Sequence, residues 1–169
     1  MLVCRRTSVL ARFVKHMFTM NLPRNILVPV DLGEQTESVL DYAVALAAKL
    51  DAKIHLLHVL ARPLLGAETG IVVTETVSDE IIARCQDELD RLTLARASKV
   101  PFAQIPLRFG DPRTEIQAAA AEINAELIVM GTHGRRGVSR LVLGSVAESI
   151  ARTARCPVLL VRASVESTS

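Results

Sequence analysis

The chain of 169 residues has no tryptophan and only 3% aromatic residues. A core large enough for one domain must therefore be built from Val, Leu, Ile and Ala. That palette suits a parallel sheet covered by helices. Cysteine is also scarce: Cys4, Cys85 and Cys156 stand far apart with no C-x-x-C pair. Neither a disulfide framework nor a zinc site is expected, and a reducing cytoplasm is the simpler setting. Cys156, ahead of Pro157 and an apolar run, reads as a small buried side chain. No stretch approaches 18 uninterrupted apolar residues, so no membrane span is expected. Acidic residues are missing from positions 1–19, which hold Arg5, Arg6, Arg12 and Lys15. Without those four, 16 of the 20 basic residues remain against 18 acidic, so the formal charge of +2 becomes −2 from Met20 onward. A near-neutral body gives no footing for nucleic-acid binding.

What the N-terminus does have is a helical pattern. Val9, Leu10, Phe13, Val14, Met17 and Phe18 share one face, and Arg12, Lys15 and His16 the other. Such a stretch reads as a mitochondrial-type transit peptide or as a helix on an anionic membrane. A third reading is an over-extended translation start, with Met20-Asn21-Leu22-Pro23-Arg24-Asn25-Ile26 as the true opening. Membrane contact is expected only if the N-terminal helix is genuine. The chain thus divides into an extension at 1–22, a single domain at 23–163 and a polar tail at 164–169.

Within the domain, strand and helix signals alternate. Ile26 to Val30 is a β-branched run ending at Asp31, and Glu34 to Leu50 carries a helical apolar stripe. Lys53 to Leu60 reads as a second strand, with His55 and His58 inside it. Arg62 to Thr76 contains Pro63, Gly66 and Gly70 and little periodicity, so it is expected as a flexible segment that a ligand could order. Ser78 to Ser98 reads as a helix that Ser78 can cap. Phe102 to Phe109 alternates as a half-exposed third strand, made irregular or peripheral by Pro106. Asp111 can cap a helix that begins at Pro112 and runs to about Asn124. Leu127 to Met130, Gly144 to Ala154 and Pro157 to Val161 read as strand, helix and strand. This alternation predicts an α/β fold with one open five-stranded parallel sheet and helices on both faces.

The chemistry concentrates near the C-terminus. Gly131, Gly134 and Gly144-Ser145 fall between a buried strand and a helix, where glycines let backbone approach a ligand without a Cβ in the way. Ser145 can cap that helix or offer its hydroxyl to an anion beside exposed N–H groups. The spacing matches neither a Walker A loop nor the dinucleotide fingerprint. In open parallel sheets ligands lie beyond the carboxyl ends of the strands, here Pro29-Val30-Asp31, His58-Val59 and Met130-Gly131. Asp31 can accept hydrogen bonds from an adenine amino group or a ribose hydroxyl, or can cap the first helix. Val30, Val59 and Met130 can offer apolar walls to a flat base. His58 is expected to pack in the sheet or to bond toward a loop. Arg135 and Arg136 beside the loop read either as ordinary solvated charges or as a basic pair that would attract a triphosphate.

From about Asn25 to Arg162 the chain resembles the universal stress protein family. The resemblance rests on Ile26-Leu27-Val28-Pro29-Val30-Asp31, Leu56-Leu57-His58-Val59, Gly110-Asp111-Pro112, the glycine loop, and Cys156-Pro157-Val158-Leu159-Leu160-Val161. It implies a Rossmann-like sheet of the adenine nucleotide alpha hydrolase type, strand order 3-2-1-4-5, and a homodimer through the last strand. The nucleotide-binding branch keeps the glycine loop, as this chain does. By that resemblance Pro29, Val30 and Asp31 line the adenine and ribose end with Val59. Met130, Gly131, His133, Gly134, Gly144, Ser145 and Val146 hold ribose and phosphates; Arg135 is expected beside them on its charge, not on the resemblance. The implied ligand is ATP, AMP or another adenine nucleotide, with any Mg²⁺ held mainly by the phosphates. Many relatives carry Ser or Phe-Ser after the first-strand Asp, where this chain has Leu32-Gly33.

A sensor or regulator in a cytoplasmic stress response, acting on an unknown protein partner, is the expectation. The alternative is an interaction module whose pocket is vestigial and whose dimer surface carries the function. An efficient enzyme is not expected: no acidic pair for Mg²⁺ lies near the loop, and Glu148 better serves the helix N-terminus. At most slow ATP hydrolysis would follow.

Overall fold

The computed structural model describes residues 22–61, 78–132 and 143–162. The amphipathic N-terminal stretch, the segment from Arg62 to Thr76, the loop residues His133, Gly134, Arg135 and Arg136, and the polar tail lie outside the described residues. Among the described residues, six strands and four helices follow in order: β1 (Asn25–Val30), α1 (Thr36–Leu50), β2 (Lys53–Leu60), α2 (Asp79–Leu94), β3 (Phe102–Gln104), β4 (Arg108–Phe109), α3 (Pro112–Glu122), β5 (Leu127–Gly131), α4 (Ser145–Thr153) and β6 (Val158–Val161).

Every strand pair is parallel, and the order is β3-β2-β1-β5-β6, with β4 also paired to β2. This is the expected 3-2-1-4-5 arrangement with one correction. The third strand is two short pieces, β3 against Ile54–Leu56 and β4 against Val59–Leu60. Pro106, which has no N–H to give to a ladder, falls in the break.

The strands alternate their side chains between two apolar layers. Ile26, Val28 and Val30 join Ile54, Leu56 and Val129 beneath Val39, Leu40, Ala43, Val44 and Ala47 of α1 and Leu89 and Leu92 of α2. Leu27, Leu57, Ile128 and Met130 meet Ile116 and Ala119 of α3 and Ala147 and Ile150 of α4 on the other face. Both faces of the sheet are buried, which is why its strands read as near-continuous apolar runs.

Helix starts follow the sequence unevenly. Asp111 caps α3 as expected, accepting a hydrogen bond from the Arg113 N–H with Pro112 just inside the helix. Ser78 occupies the cap position of α2, but its hydroxyl makes no cap bond; the helix closes through Ile82 N–H to the Ser78 carbonyl. The cap residue of α4 is Gly144, and Ser145 is its first helical residue, again without a hydroxyl cap bond. Nor does Asp31 cap α1, whose cap residue is Gln35.

α1 and α2 are joined by charge. Arg96 is 6% exposed and bonds Glu37 and, at 2.7 Å, Asp41. Arg91 reaches Glu37 at 2.6 Å and Glu88 at 2.7 Å. These two guanidiniums hold the Glu37 carboxyl below its usual range, the Arg91 hydrogen bond contributing most.

Candidate functional site

The chain runs outward from the centre of the sheet in both directions, from β1 to β2 and from β5 to β6, so β1 and β5 flank the switch point. Their pairing is short, ending at Leu27–Ile128, whereas β1 pairs with β2 through Val30–His58 and β5 with β6 through Gly131–Val161. Pro29, buried in β1, lies just past the end of the β1–β5 ladder and has no N–H to extend it. The carboxyl ends of the two central strands are thus free of each other where a ligand crevice is expected.

Asp31 follows directly on β1. Its Oδ1 accepts from the Gly33 N–H at 3.0 Å and from the Thr36 hydroxyl at 3.4 Å. The turn forces Leu32 into a left-handed conformation, φ 58°, and its side chain packs on the α1 layer. The pattern is an Asx turn, and it pins the carboxylate at the switch point. Thr36, buried at the start of α1, was not singled out from sequence. Its signal is a hydroxyl five residues after the strand-ending Asp, at the first helical position.

On β2, His58 is buried and its Nδ1 lies 2.8 Å from the Val30 carbonyl. A carbonyl only accepts, so Nδ1 carries the proton, and the ring ties the end of β2 to the end of β1. That matches the expectation that His58 packs in the sheet. Beyond it, Val59 and Leu60 pair with Arg108 and Phe109, and the Gly110 N–H donates to the Leu60 carbonyl at 3.1 Å. Gly110 has φ 147°, which disfavours other residues, and a Cβ there would press on the Glu115 carboxylate at 3.2 Å. Arg108 bonds Glu115 at 3.3 Å and also Glu122, so this cation beside the crevice serves α3.

The glycine loop is anchored at both ends. The Thr132 N–H donates to the Val161 carbonyl at 3.1 Å, and the Gly144 N–H to the Thr132 carbonyl at 2.8 Å. The second bond sets the start of α4 directly on the end of β5. The helix then closes through Glu148 N–H to the Gly144 carbonyl at 2.9 Å. Its first-turn amides precede any intrahelical acceptor and carry the positive end of the helix dipole. Ser145 is exposed there and Val146 half-buried.

The residues expected to offer apolar walls, Val30, Val59 and Met130, are divided between the two sides of the sheet. Val30 belongs to the α1 layer, whereas Met130 and Val59 pack in the α4 layer. Strand alternation separates them, and the two layers sit on opposite sides of the sheet. Of the twelve positions singled out, Pro29, Val30, Asp31, Val59, Met130, Gly131, Gly144, Ser145 and Val146 come together along one edge of the sheet and the start of α4. His133, Gly134 and Arg135 lie outside the described residues. Among the described residues no group of three or more His, Cys, Asp or Glu side chains could hold a metal, and no helix is long and apolar enough to cross a membrane.

A doubly wound parallel sheet with an anchored loop at its switch point defines a class of α/β proteins whose ligands meet backbone at that edge. The universal stress protein family model matches residues 23–162. The chain belongs to the universal stress protein family. It is 36% identical over 142 residues to a putative universal stress protein of Staphylococcus aureus, covering 82% of this chain and 84% of that one. A universal stress protein of Methanocaldococcus jannaschii is 31% identical over 145 residues, 84% of each chain. Among solved structures, a family member from Burkholderia pseudomallei is 32% identical, with a TM-score of 0.64 over 85% of this chain and 98% of that one. Two more distant family structures share the fold and were solved as complexes. One, with cAMP, is 22% identical with a TM-score of 0.60 over 85% of this chain and 99% of that one. The other, from Archaeoglobus fulgidus with dAMP, is 24% identical with a TM-score of 0.58 over 82% and 98%.

Proposed function

We propose that this universal stress protein binds ATP or a related adenine nucleotide at the carboxyl edge of its sheet, as a sensor or regulator in a stress response. The observation that carries the reading is the bond from Gly144 N–H to the Thr132 carbonyl. It holds the open N-terminus of α4 against the end of β5, beside the turn that pins Asp31. Amides without acceptors suit phosphate oxygens, and a fixed carboxylate suits an amino group or a ribose hydroxyl. The cAMP and dAMP complexes of distant relatives support the same ligand class. Within the site Val59 and Met130 supply apolar contact, Pro29 and Val30 backbone, and Gly131, His133, Gly134, Arg135, Ser145 and Val146 the phosphate cradle. Mg²⁺, where it accompanies the nucleotide, is held mainly by the phosphates.

The protein acts as a binder rather than an efficient enzyme, since no acidic pair for Mg²⁺ lies near the loop in the sequence and the nearest carboxylate, Glu148, serves the N-terminus of α4. Homodimerisation through β6 belongs to the same reading. Among the described residues β6 pairs only with β5, and Val158 to Val161 form an apolar edge, the kind of edge that recruits another strand. Cytoplasmic action on an as yet unnamed protein partner completes it.

The test is replacement of Gly134 by Leu in the full chain, followed by calorimetric titration with ATP, AMP and cyclic AMP. The expected result is loss of nucleotide heat with an unchanged melting temperature. A variant that behaves as the parent, with neither binding, would leave an interaction module working through its dimer surface.

A further inference from the structure

α1 buries Val39, Leu40, Ala43, Val44 and Ala47. Its opposite face carries Asp41, Tyr42, Ala45, Ala48 and Lys49, all exposed. Tyr42 is the only tyrosine in the chain, and it is 50% exposed. Rigid amphipathic rings of this kind are enriched at protein interfaces. Alongside it an open groove is lined by Asp41, Val44, Ala45 and Ala48 together with Lys99 from the α2–β3 connection.

We propose that this face is a homotypic interface in which two copies pack their α1 helices antiparallel about Ala45. Helical spacing puts Ala45 at the centre of the face, Asp41 and Ala48 on one flank and Tyr42 and Lys49 on the other. When a second copy is turned end over end about a two-fold axis at Ala45, the face complements itself. Ala45 meets Ala45, Tyr42 meets Lys49 of the second copy, and Asp41 rests on Ala48 of the second copy, level with its Lys49. Alanines at these contacts let the helix axes approach to about 8 Å. A lysine over a tyrosine ring is attractive, and the two-fold axis repeats every contact. A parallel pair would instead bring Lys49 level with Lys49 and Asp41 level with Asp41. Arg96 already holds Asp41 at 2.7 Å, which fixes its carboxylate at the rim of the groove. The face lies over β1, β2 and β5 rather than along β6, so the two associations do not compete for one surface.

Sedimentation velocity of the full chain tests this, comparing wild type with Ala45→Glu and Lys49→Glu. Glutamate is a good helix former at both exposed positions, and thermal melting checks each fold. The expected result is an assembly in wild type that both variants reduce by one step, weakening association at least tenfold. Tyrosine fluorescence should change on dilution of wild type and not of Ala45→Glu, because no tryptophan masks it. Equal masses for wild type and both folded variants at every concentration would overturn the proposal, as would wild-type tyrosine emission independent of concentration.

Discussion

Asp31 is held by its own turn before it can meet any ligand. Because Oδ1 takes the Gly33 N–H and the Thr36 hydroxyl, the two roles can be separated by chemistry. Asp31→Asn keeps an acceptor at Oδ1 and removes the charge. It should fold with a loss of about 1 kcal/mol or less by urea denaturation, yet bind ATP at least about tenfold more weakly, roughly 1.4 kcal/mol. Unchanged affinity would mean that the carboxylate serves the turn alone. Leu32 offers a second test. A left-handed leucine carries strain, and a β-branched residue there is worse. Leu32→Val should cost about 1–3 kcal/mol in the same measurement. The Asp111 cap was legible because Asp-Pro at a helix start has one common outcome. The left-handed position was not, because Gly33 stands next to Leu32 and looks the natural residue to take it. The bond from Gly33 N–H to Asp31 selects Leu32 instead.

Among elements, the joint between α1 and α2 rests on ion pairs that substitution can separate. Removing the Arg96 guanidinium leaves Asp41 as an exposed carboxylate that water can solvate, and Glu37 still bonded to Arg91. Removing the carboxylates leaves Arg96 charged and buried. The double variant Glu37→Gln with Asp41→Asn should therefore lose more stability than Arg96→Met, because an unpaired buried charge costs more than unpaired charges at the surface. Equal losses would contradict that account. Glu37 also predicts a pH dependence. Its folded-state pKa lies below the unfolded one, so its contribution is complete above about pH 4.3, the unperturbed glutamate value. It is lost as pH falls through the lower folded-state pKa. Acid titration of unfolding should show this loss in wild type and a shallower slope in Glu37→Gln. None of this was read from sequence, because a cross-helix ion network brings together residues more than fifty positions apart. Element order was legible from alternation alone. The split third strand was half legible, since Pro106 marks where the ladder must fail but not that pairing resumes at Arg108.

At the scale of the whole molecule, the topology was accessible because both faces of a parallel sheet must be buried, which writes each strand as an apolar run. The site was accessible to the extent that its parts sit at strand ends. The side of the sheet on which each expected apolar wall stands was not, since the sequence separates neighbouring faces only by parity along each strand, and relative parity between strands depends on register. The register here puts Val30 and Met130 on opposite sides of the sheet. A base bound at this edge would meet Val30 through its backbone and Met130 and Val59 through their side chains. Replacing Met130 with Ala should therefore weaken nucleotide binding, while Val30→Ala should act mainly on stability. Comparing ATP affinity with urea unfolding for the pair checks the split.

The most direct measurement is calorimetric titration of the purified full chain with ATP, AMP and cyclic AMP, run beside Gly134→Leu. Saturable binding of at least one of them at one site per chain, abolished in the variant while its melting temperature is unchanged, is the predicted result. No heat from any of the three at millimolar concentration, in a chain shown to be free of carried-over nucleotide, would contradict it.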